Sequence, residues 1–204
     1  NLSIFKKENA ATTVASTISI ASKFAIKFFA TGGIGGAHLN VEKTYDVSAD
    51  LYSLSENANY VICSGAKSIL DLNKTYEFLE TLGITRIGYK TNHMPGFWYS
   101  ETNHQVDNNF ENVSDISNFL KLNSSLNYNK SILIFNKVPE VNAISKDKIN
   151  EWINSALLRA EQNKINGKAL TPFLIKEINN YSNNKTLKAN ISLIINNADL
   201  AGKI

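Results

Sequence analysis

Apolar residues along this chain follow two patterns, short continuous runs and longer stretches with an apolar residue at every third or fourth position. The short runs predict β-strands at residues 26–30, 60–63, 84–89 and 131–136. The longer stretches predict helices near residues 11–25, 48–55, 67–82, 113–122, 147–163 and 186–204, and one more that begins at Thr171-Pro172 with the threonine as its cap. Strands that alternate with helices favour an α/β fold whose mostly parallel sheet is covered on both faces.

The same periodicity predicts which side of each helix is buried. In the last helix, Ile191, Ile194, Ile195 and Ala198 are predicted to form the apolar side. Residues 38–44 and 90–112 lack a clear period and are predicted to be loops. The second loop contains Phe97, Trp98 and Tyr99, which as exposed aromatics would serve an interface or cover a site.

Composition narrows the class of protein. Hydrophobic residues make up 43% of the 204, enough for the core of a single domain. The net charge of +3 is small and its lysines are interspersed with acids, so nucleic-acid binding is a weak hypothesis. A single cysteine, Cys63, excludes an internal disulfide and a cysteine-built zinc site, and its apolar strand predicts a core position. No stretch is typical of a membrane span or a signal peptide, which favours a soluble, cytoplasmic protein.

Candidate chemistry is concentrated between Phe28 and Lys67. An apolar strand ends there in Thr31 and a loop with four glycines, Gly32, Gly33, Gly35 and Gly36. Such a loop at the carboxyl end of a strand can bind an anion through its backbone N–H groups. The next strand breaks at Ser64-Gly65-Ala66 and leads to Lys67. We therefore expect the glycine loop, Asp46, Asp50 and Lys67 to share one cleft, although a simple strand–helix turn remains the alternative.

Lys67 is predicted to open the helix at residues 67–82, where the helix macrodipole and apolar neighbours both favour a neutral amine. A neutral amine in a cleft is what a Schiff-base nucleophile requires, and a surface lysine is the alternative. Asp46 and Asp50 are either helix caps or ligands of a divalent ion that keeps its waters. On the last helix, Asn190 can point into the cleft or into solvent.

Several segments, in order along the chain, resemble the pseudouridine-5′-phosphate glycosidase family. They are ATTVAST at 11–17, FATGGIGG at 29–36, DVSAD at 46–50, CSGAKSILD at 63–71, YEFLET at 76–81, TPFL at 171–174, KANI at 188–191 and NNA at 196–198. The resemblance implies a three-layer α/β/α sandwich, usually a homotrimer. It also implies reversible cleavage of the carbon–carbon glycosidic bond of pseudouridine 5′-phosphate, giving uracil and ribose 5-phosphate, with a divalent metal such as manganese.

The resemblance also implies a role for each matching residue. Lys67 would attack C1′ and hold the opened ribose as a Schiff base, with Asn190 near the base or sugar. Asp46 would bind the metal, largely through water. The residues implied to contact the substrate are Thr13, Val14, His38, Ser48, Ala49 and Asp50.

The family's pattern begins ahead of Asn9, in a segment that carries a glutamate acid and a second lysine. Residues 1–8 do not match that segment, so residues 1–204 are expected to be the C-terminal two-thirds of a longer glycosidase domain with little or no turnover on their own. Two alternatives stay open: another Schiff-base lyase acting on a sugar phosphate, and a relative that binds ribose phosphate without turnover.

Overall fold

A parallel sheet forms the centre of the molecule in a computed structural model that describes residues 2–204. Its strands, in chain order, are β1 (Phe28–Ala30), β2 (Tyr60–Cys63), β3 (Thr85–Tyr89), β4 (Asn108–Phe110) and β5 (Ile132–Phe135). Their order across the sheet is β1-β2-β5-β3-β4, and every pairing is parallel. Tyr60 lies opposite Phe28 on one side and Ile132 on the other. The predicted mostly parallel sheet is confirmed.

Nine α-helices surround the sheet within the described residues. They are α1 (Leu2–Lys6), α2 (Val14–Lys23), α3 (Val41–Thr44), α4 (Ala49–Glu56), α5 (Leu72–Thr81), α6 (Val113–Ser125), α7 (Lys146–Gln162), α8 (Leu170–Tyr181) and α9 (Lys185–Lys203). Short 3₁₀ turns lie at Glu140–Asn142 and Gly167–Ala169. No helix within residues 2–204 combines the length and the hydropathy needed to cross a bilayer.

Side chains of successive strand residues enter two separate apolar clusters, as the two-residue period of a strand requires. Val61, Cys63 and Leu133 belong to the larger cluster, which includes residues of α4, α5, α7 and α8. Ile62 and Ile134 belong to the smaller cluster, which α6 and the C-terminal end of α9 cover. The sheet is therefore covered on both faces, and the predicted α/β/α layering is confirmed.

β4 was not predicted, because its sequence Asn108–Phe110 is mostly polar. It pairs with β3 alone, at one edge of the sheet, where its residues are exposed or half-buried. An edge strand with this exposure needs no apolar run, so the hydrophobic pattern carries no signal for it.

Several helices begin at residues other than those predicted. α2 begins at Val14 with Thr13 as its N-cap, three residues after the predicted start. α5 begins at Leu72 with Asp71 as its N-cap, whose carboxylate accepts a hydrogen bond from the Lys74 N–H at 3.1 Å. The prediction that Lys67 opens this helix is therefore wrong, and the macrodipole argument for its amine no longer applies. α8 begins at Leu170, so Thr171 lies inside its first turn and is not its cap.

The buried face of α9 also differs from the predicted one. Ile191, Ile194 and Ile195 are exposed, whereas the helix buries Thr186, Ala189, Leu193, Asn197 and Leu200. Both sets recur at three- and four-residue spacing, so periodicity alone did not distinguish them. The buried polar residues on this face are hydrogen-bonded, which removes the cost of placing them in the core.

Candidate active site

The glycine loop and the segment that carries Lys67 run side by side beyond the ends of β1 and β2. The Ser64 N–H donates to the Gly32 carbonyl at 2.9 Å, and the Ile34 N–H donates to the Gly65 carbonyl at 3.0 Å. The Lys67 N–H then donates to the Ile34 carbonyl at 3.1 Å. The parallel pairing of two strands thus continues into the loops and fixes the Lys67 backbone beside the glycines.

Gly65 and Gly33 are two glycines of the site at which an added Cβ would clash with the loop that contains Phe97. Gly65 has a φ of +90°, and a Cβ added there would lie 2.0 Å from the Pro95 carbonyl oxygen. A Cβ on Gly33 would lie 2.7 Å from the Phe97 ring. Any side chain at either position would push the loop containing Phe97 away from the glycine loop.

Asp50 joins the glycine loop to the N-terminal end of α2. Its carboxylate is buried, with Oδ1 accepting from the Ala15 N–H at 2.8 Å and Oδ2 from the Gly35 N–H at 2.7 Å. The residue is placed by α4, whose N-cap Ser48 accepts a hydrogen bond from the Asp50 N–H at 3.2 Å. Each carboxylate oxygen therefore accepts a hydrogen bond from a backbone N–H, and the carboxylate holds the glycine loop against the start of α2.

The aromatic residues 97–99 are buried, contrary to the prediction that they are exposed. The Phe97 N–H donates to the Ser64 carbonyl at 2.9 Å, and Ser68 Oγ donates to the Gly96 carbonyl at 2.5 Å. These bonds lie on either side of Lys67 in the chain. Phe97 has a φ of +69°, a strained backbone conformation for a side chain of this size. The aromatic loop is thus held against the segment that carries Lys67.

α9 contributes two asparagines to the same region. Asn197, fully buried, donates through Nδ2 to the Thr31 carbonyl at 2.8 Å and to Ser64 Oγ at 3.1 Å. Asn190, two turns earlier, accepts a hydrogen bond from the Trp98 indole N–H at 2.7 Å. The first asparagine ties the helix to the two loops, and the second lies at the cavity wall.

These elements enclose a cavity of about 580 Å³ at the carboxyl ends of β1 and β2. Its lining is Thr12, Thr13, Val14, Thr17, Phe29, Thr31, Gly32, Gly33, Gly35, His38, Ser48, Asp50, Lys67, Ile69, Leu70, Phe97, Thr171, Asn190 and Leu193. The volume is within the range typical of small-molecule sites. Within the described residues, Lys67 Nζ has no ion pair or hydrogen bond, so no salt bridge has to break before this amine reacts.

The cavity brings together most of the residues that the sequence singled out. Those that line it are Thr13, Val14, His38, Ser48, Asp50, Lys67 and Asn190. Ala49 is exposed on α4 and is not part of the lining. Asp46 is also absent from the lining, although its carboxylate lies beside the ring of His38, which lines the cavity. Asp46 comes directly before Val47, whose antiparallel bridge to Ala37 closes residues 37–47 into a loop, and it is exposed.

Asp46 is the residue implied to hold a metal. Its side chain is 50% exposed, and Oδ2 lies 3.9 Å from His38 Nδ1. In the part of the chain that the structure describes, no three His, Cys, Asp or Glu residues are grouped closely enough to hold a metal ion. A half-exposed carboxylate fits only an ion that keeps most of its water ligands, such as a hard divalent cation.

A larger groove of about 880 Å³ lies elsewhere, between the C-terminal end of α7 and residues 164–170. Its walls are mainly aliphatic, with Glu161 and Lys164 as the charged residues among the lining. It contains none of the glycines and no residue from the strand ends. Volume alone would favour this groove, but the convergent polar groups lie around Lys67.

Some of the residues that build the site carried little sequence signal. Trp98 and Asn197 are core residues whose polar atoms bond across the fold, and their partners are 92 and 133–166 positions away in the chain. Thr12, just ahead of α2, and Thr17, inside it, belonged to the matched segment ATTVAST, and Asn197 to the matched NNA at 196–198, yet none of the three was singled out as a site residue. Only the three-dimensional arrangement identifies these residues as parts of one site.

The fold and the site together define a parallel α/β protein with a small-molecule cavity at the strand ends and a single lysine in its wall. The family of indigoidine synthase A like proteins matches residues 1–204, and the chain belongs to that family.

Relatives are similar over almost the whole chain. A pseudouridine-5′-phosphate glycosidase of Brachyspira hyodysenteriae is 42% identical over 198 residues, which are 97% of this chain and 64% of that protein. The corresponding enzyme of Kosmotoga olearia is 43% identical over 198 residues, 97% of this chain and 68% of its own. The chain thus spans about two thirds of the length of these relatives.

A solved structure has the same fold. The prealnumycin C-glycosynthase in complex with ribulose 5-phosphate superposes with a TM-score of 0.89 at 34% identity. The superposition covers 95% of this chain and 64% of that one. The family resemblance stated from the sequence is confirmed, and so is the α/β fold that it implies.

Proposed function

We propose that this protein is a pseudouridine-5′-phosphate glycosidase, which reversibly cleaves the C–C glycosidic bond of its substrate to uracil and ribose 5-phosphate. The observation that carries the proposal is Lys67, whose amine lines a cavity together with the glycine loop and the start of α2. The names of the relatives, and the ribulose 5-phosphate bound to the C-glycosynthase, support a phosphorylated sugar as the ligand.

Lys67 would act as the nucleophile. Its neutral amine attacks C1′ of the ribose, a C–N bond forms, and the ring oxygen leaves C1′ and takes up a proton, while the new ammonium loses a proton and so regains its lone pair. The nitrogen lone pair then forms an iminium at C1′ while the C–C bond to uracil breaks, and the uracil carbon takes the electron pair and a proton. Water adds to the iminium and releases ribose 5-phosphate. An amine suits this bond because uracil has no heteroatom at the linkage that an acid could protonate.

The start of α2 is the part of the cavity best suited to the phosphate. The Ala15 N–H is taken by Asp50 and the Ser16 N–H by the Thr13 hydroxyl, which leaves the Val14 N–H without a partner among the described residues. A free N–H at the N-terminal end of a ten-residue helix is a donor for an anionic oxygen. Thr13 and His38 line the same cavity and would add further contacts.

The proposal includes three further expectations. Asp46, with His38 nearby, would hold a divalent metal such as Mn²⁺, which when bound supplies positive charge next to the substrate. The protein would assemble as a homotrimer and act in the cytoplasm. Metal binding is checked by titrating Mn²⁺ into the wild type and Asp46→Asn, and assembly by measuring the mass in solution.

Borohydride trapping with ribose 5-phosphate tests the role of Lys67. The reduced Schiff base should appear on the peptide that contains Lys67 and should be lost in Lys67→Arg, whose guanidinium is not a nucleophile. Lys121→Arg, a change on the far side of the sheet, is the matched control and should trap as well as the wild type. An adduct distributed over surface lysines, with none enriched at Lys67, would refute the proposal.

Formation of the C–C bond from uracil and ribose 5-phosphate identifies the substrate. A product with the mass of pseudouridine 5′-phosphate supports the glycosidase. Trapping at Lys67 that is unaffected by uracil, with no such product, would favour either alternative left open by the sequence: a Schiff-base lyase acting on another sugar phosphate, or a relative that binds ribose phosphate without turnover.

A further inference from the structure

The hydrogen bond between Trp98 and Asn190 determines which way the asparagine amide faces. The indole N–H can only donate, so the atom that it contacts at 2.7 Å has to be the amide oxygen. The orientation of the Asn190 amide is therefore fixed by chemistry, since the reversed amide would place two N–H donors against each other.

The NH₂ group of Asn190 then points away from Trp98. Within residues 2–204, Nδ2 of Asn190 makes no hydrogen bond. Every fully buried side-chain N or O atom in this range has a hydrogen-bond partner. Nδ2 is consequently accessible rather than enclosed, and Asn190 is a half-buried residue of the cavity wall. Asn190 therefore carries two N–H donors that no described protein group uses, on a residue that lines the cavity.

Trp98 is itself held firmly enough to impose this orientation. Its side chain is buried, its backbone N–H donates to the Gly96 carbonyl at 2.9 Å, and its backbone carbonyl accepts from the Ile144 N–H at 2.8 Å. The indole packs on the Phe97 ring with 5.3 Å between the ring centroids. Asn190 is fixed from the other side by the backbone of α9. The amide is therefore oriented before any ligand arrives.

We infer that Trp98 is a positioning residue of this site: it keeps the Asn190 amide turned so that Nδ2 donates to an oxygen of the bound substrate. The identity of that substrate rests on the proposed function. The arrangement selects for a carbonyl or hydroxyl oxygen as acceptor, because a group that can only donate cannot bond to the amide NH₂. Preorganised donors of this kind cost no reorganisation when the ligand binds.

Two substitutions separate the donor from the residue that orients it. Asn190→Asp keeps an acceptor for the indole and removes both N–H donors, so affinity for ribose 5-phosphate or uracil should fall about 10-fold or more, as expected for the loss of a hydrogen bond and the addition of a negative charge. Trp98→Phe keeps the aromatic packing and frees the amide to rotate, which should lower affinity about 2- to 5-fold. In the Asn190→Asp background, Trp98→Phe should change affinity less than 2-fold, because the donor that it orients is gone.

A purely structural role for Trp98 would produce the same loss in both backgrounds, and that result would overturn the inference. The indole resonances of the protein give a second readout, because the chain has only two tryptophans and the other, Trp152, lies in α7 as an internal reference. Asn190→Ala should shift the Trp98 indole N–H resonance and leave that of Trp152 in place. An unchanged Trp98 resonance would refute the hydrogen bond, whether or not any ligand binds.

The two proposals can fail separately. Failure to trap ribose 5-phosphate at Lys67 would contradict the proposed function, while the Trp98 resonance in Asn190→Ala still decides whether Trp98 holds the amide. Trapping at Lys67 with wild-type affinity in Asn190→Asp would leave the proposed function standing and would refute the role of Asn190 as a donor.

Discussion

Asp50→Asn should destabilise the protein strongly, because this buried carboxylate is shared by two backbone N–H groups from different elements. The amide oxygen of an asparagine can replace one carboxylate oxygen, but its NH₂ group would face the second N–H. One buried donor is then unsatisfied, at a cost of about 1–3 kcal/mol, and the remaining hydrogen bond loses the help of the negative charge, about 1 kcal/mol more. The free energy of unfolding should fall by about 2–4 kcal/mol.

Thermal unfolding followed by circular dichroism measures this loss. For a chain of this length, about 2–4 °C per kcal/mol gives a decrease in Tm of about 4–16 °C. Asp46→Asn, measured without divalent metal, is the matched control: its carboxylate is half exposed, so the change should stay within about 0.5 kcal/mol. Amide exchange should become faster at Ala15 and Gly35 in the Asp50 variant. A variant as stable as the wild type, with both amides still protected, would refute the argument that Asp50 joins the two elements.

Two further predictions concern the residues behind the cavity. Gly65→Ala should lower the free energy of unfolding by about 2–5 kcal/mol, since the methyl group meets the Pro95 carbonyl and the backbone has a positive φ. Gly202→Ala is the control: its methyl group meets no atom within 4 Å and lies in a helix, so this change should be neutral or slightly stabilising. Equal effects of the two substitutions in urea unfolding would contradict the prediction. Burial raises the pKa of the Cys63 thiol to about 12, so the folded protein should not react with Ellman's reagent at pH 8 and should react fully once unfolded in urea. Rapid reaction of the native protein would place the thiol at the surface.

The parts of the fold that hydrophobic patterning predicted best are those buried on both sides. β2 and β5 are four-residue apolar runs in the interior of the sheet, and all their residues are buried. Each position therefore has to be apolar, which makes the strands easy to predict. α7 buries apolar residues at three- and four-residue spacing, which is the pattern that predicted a helix there: Ile149, Trp152, Ile153, Ala156 and Ala160. The position of the cavity was predicted from glycines and a lysine that follow two strands, because the carboxyl ends of parallel strands meet at one edge of the sheet.

The predictions that failed involve features that only tertiary contacts decide. α9 has isoleucines on one side and a mixed set with Asn197 on another, and the mixed side is buried because the asparagine has partners in two loops. α5 begins after Asp71 because the carboxylate of Asp71 caps the helix, although the apolar pattern extends back to Ile69. Asp46 and Asp50 are four positions apart, yet Asp50 is buried through its hydrogen bonds to Ala15 and Gly35, whereas the side chain of Asp46 is half exposed.

The hydrogen bond from Asn197 to the Thr31 carbonyl spans 166 positions of the chain. The cavity therefore cannot be completed until the C-terminal helix has docked on loops made near the beginning, and no local folding unit can form it alone. Long-range closure of this kind is slow compared with helix formation. It also makes ligand binding a reporter of the folded state as a whole: a ligand present at one hundred times its Kd would stabilise the whole chain by about 2.7 kcal/mol.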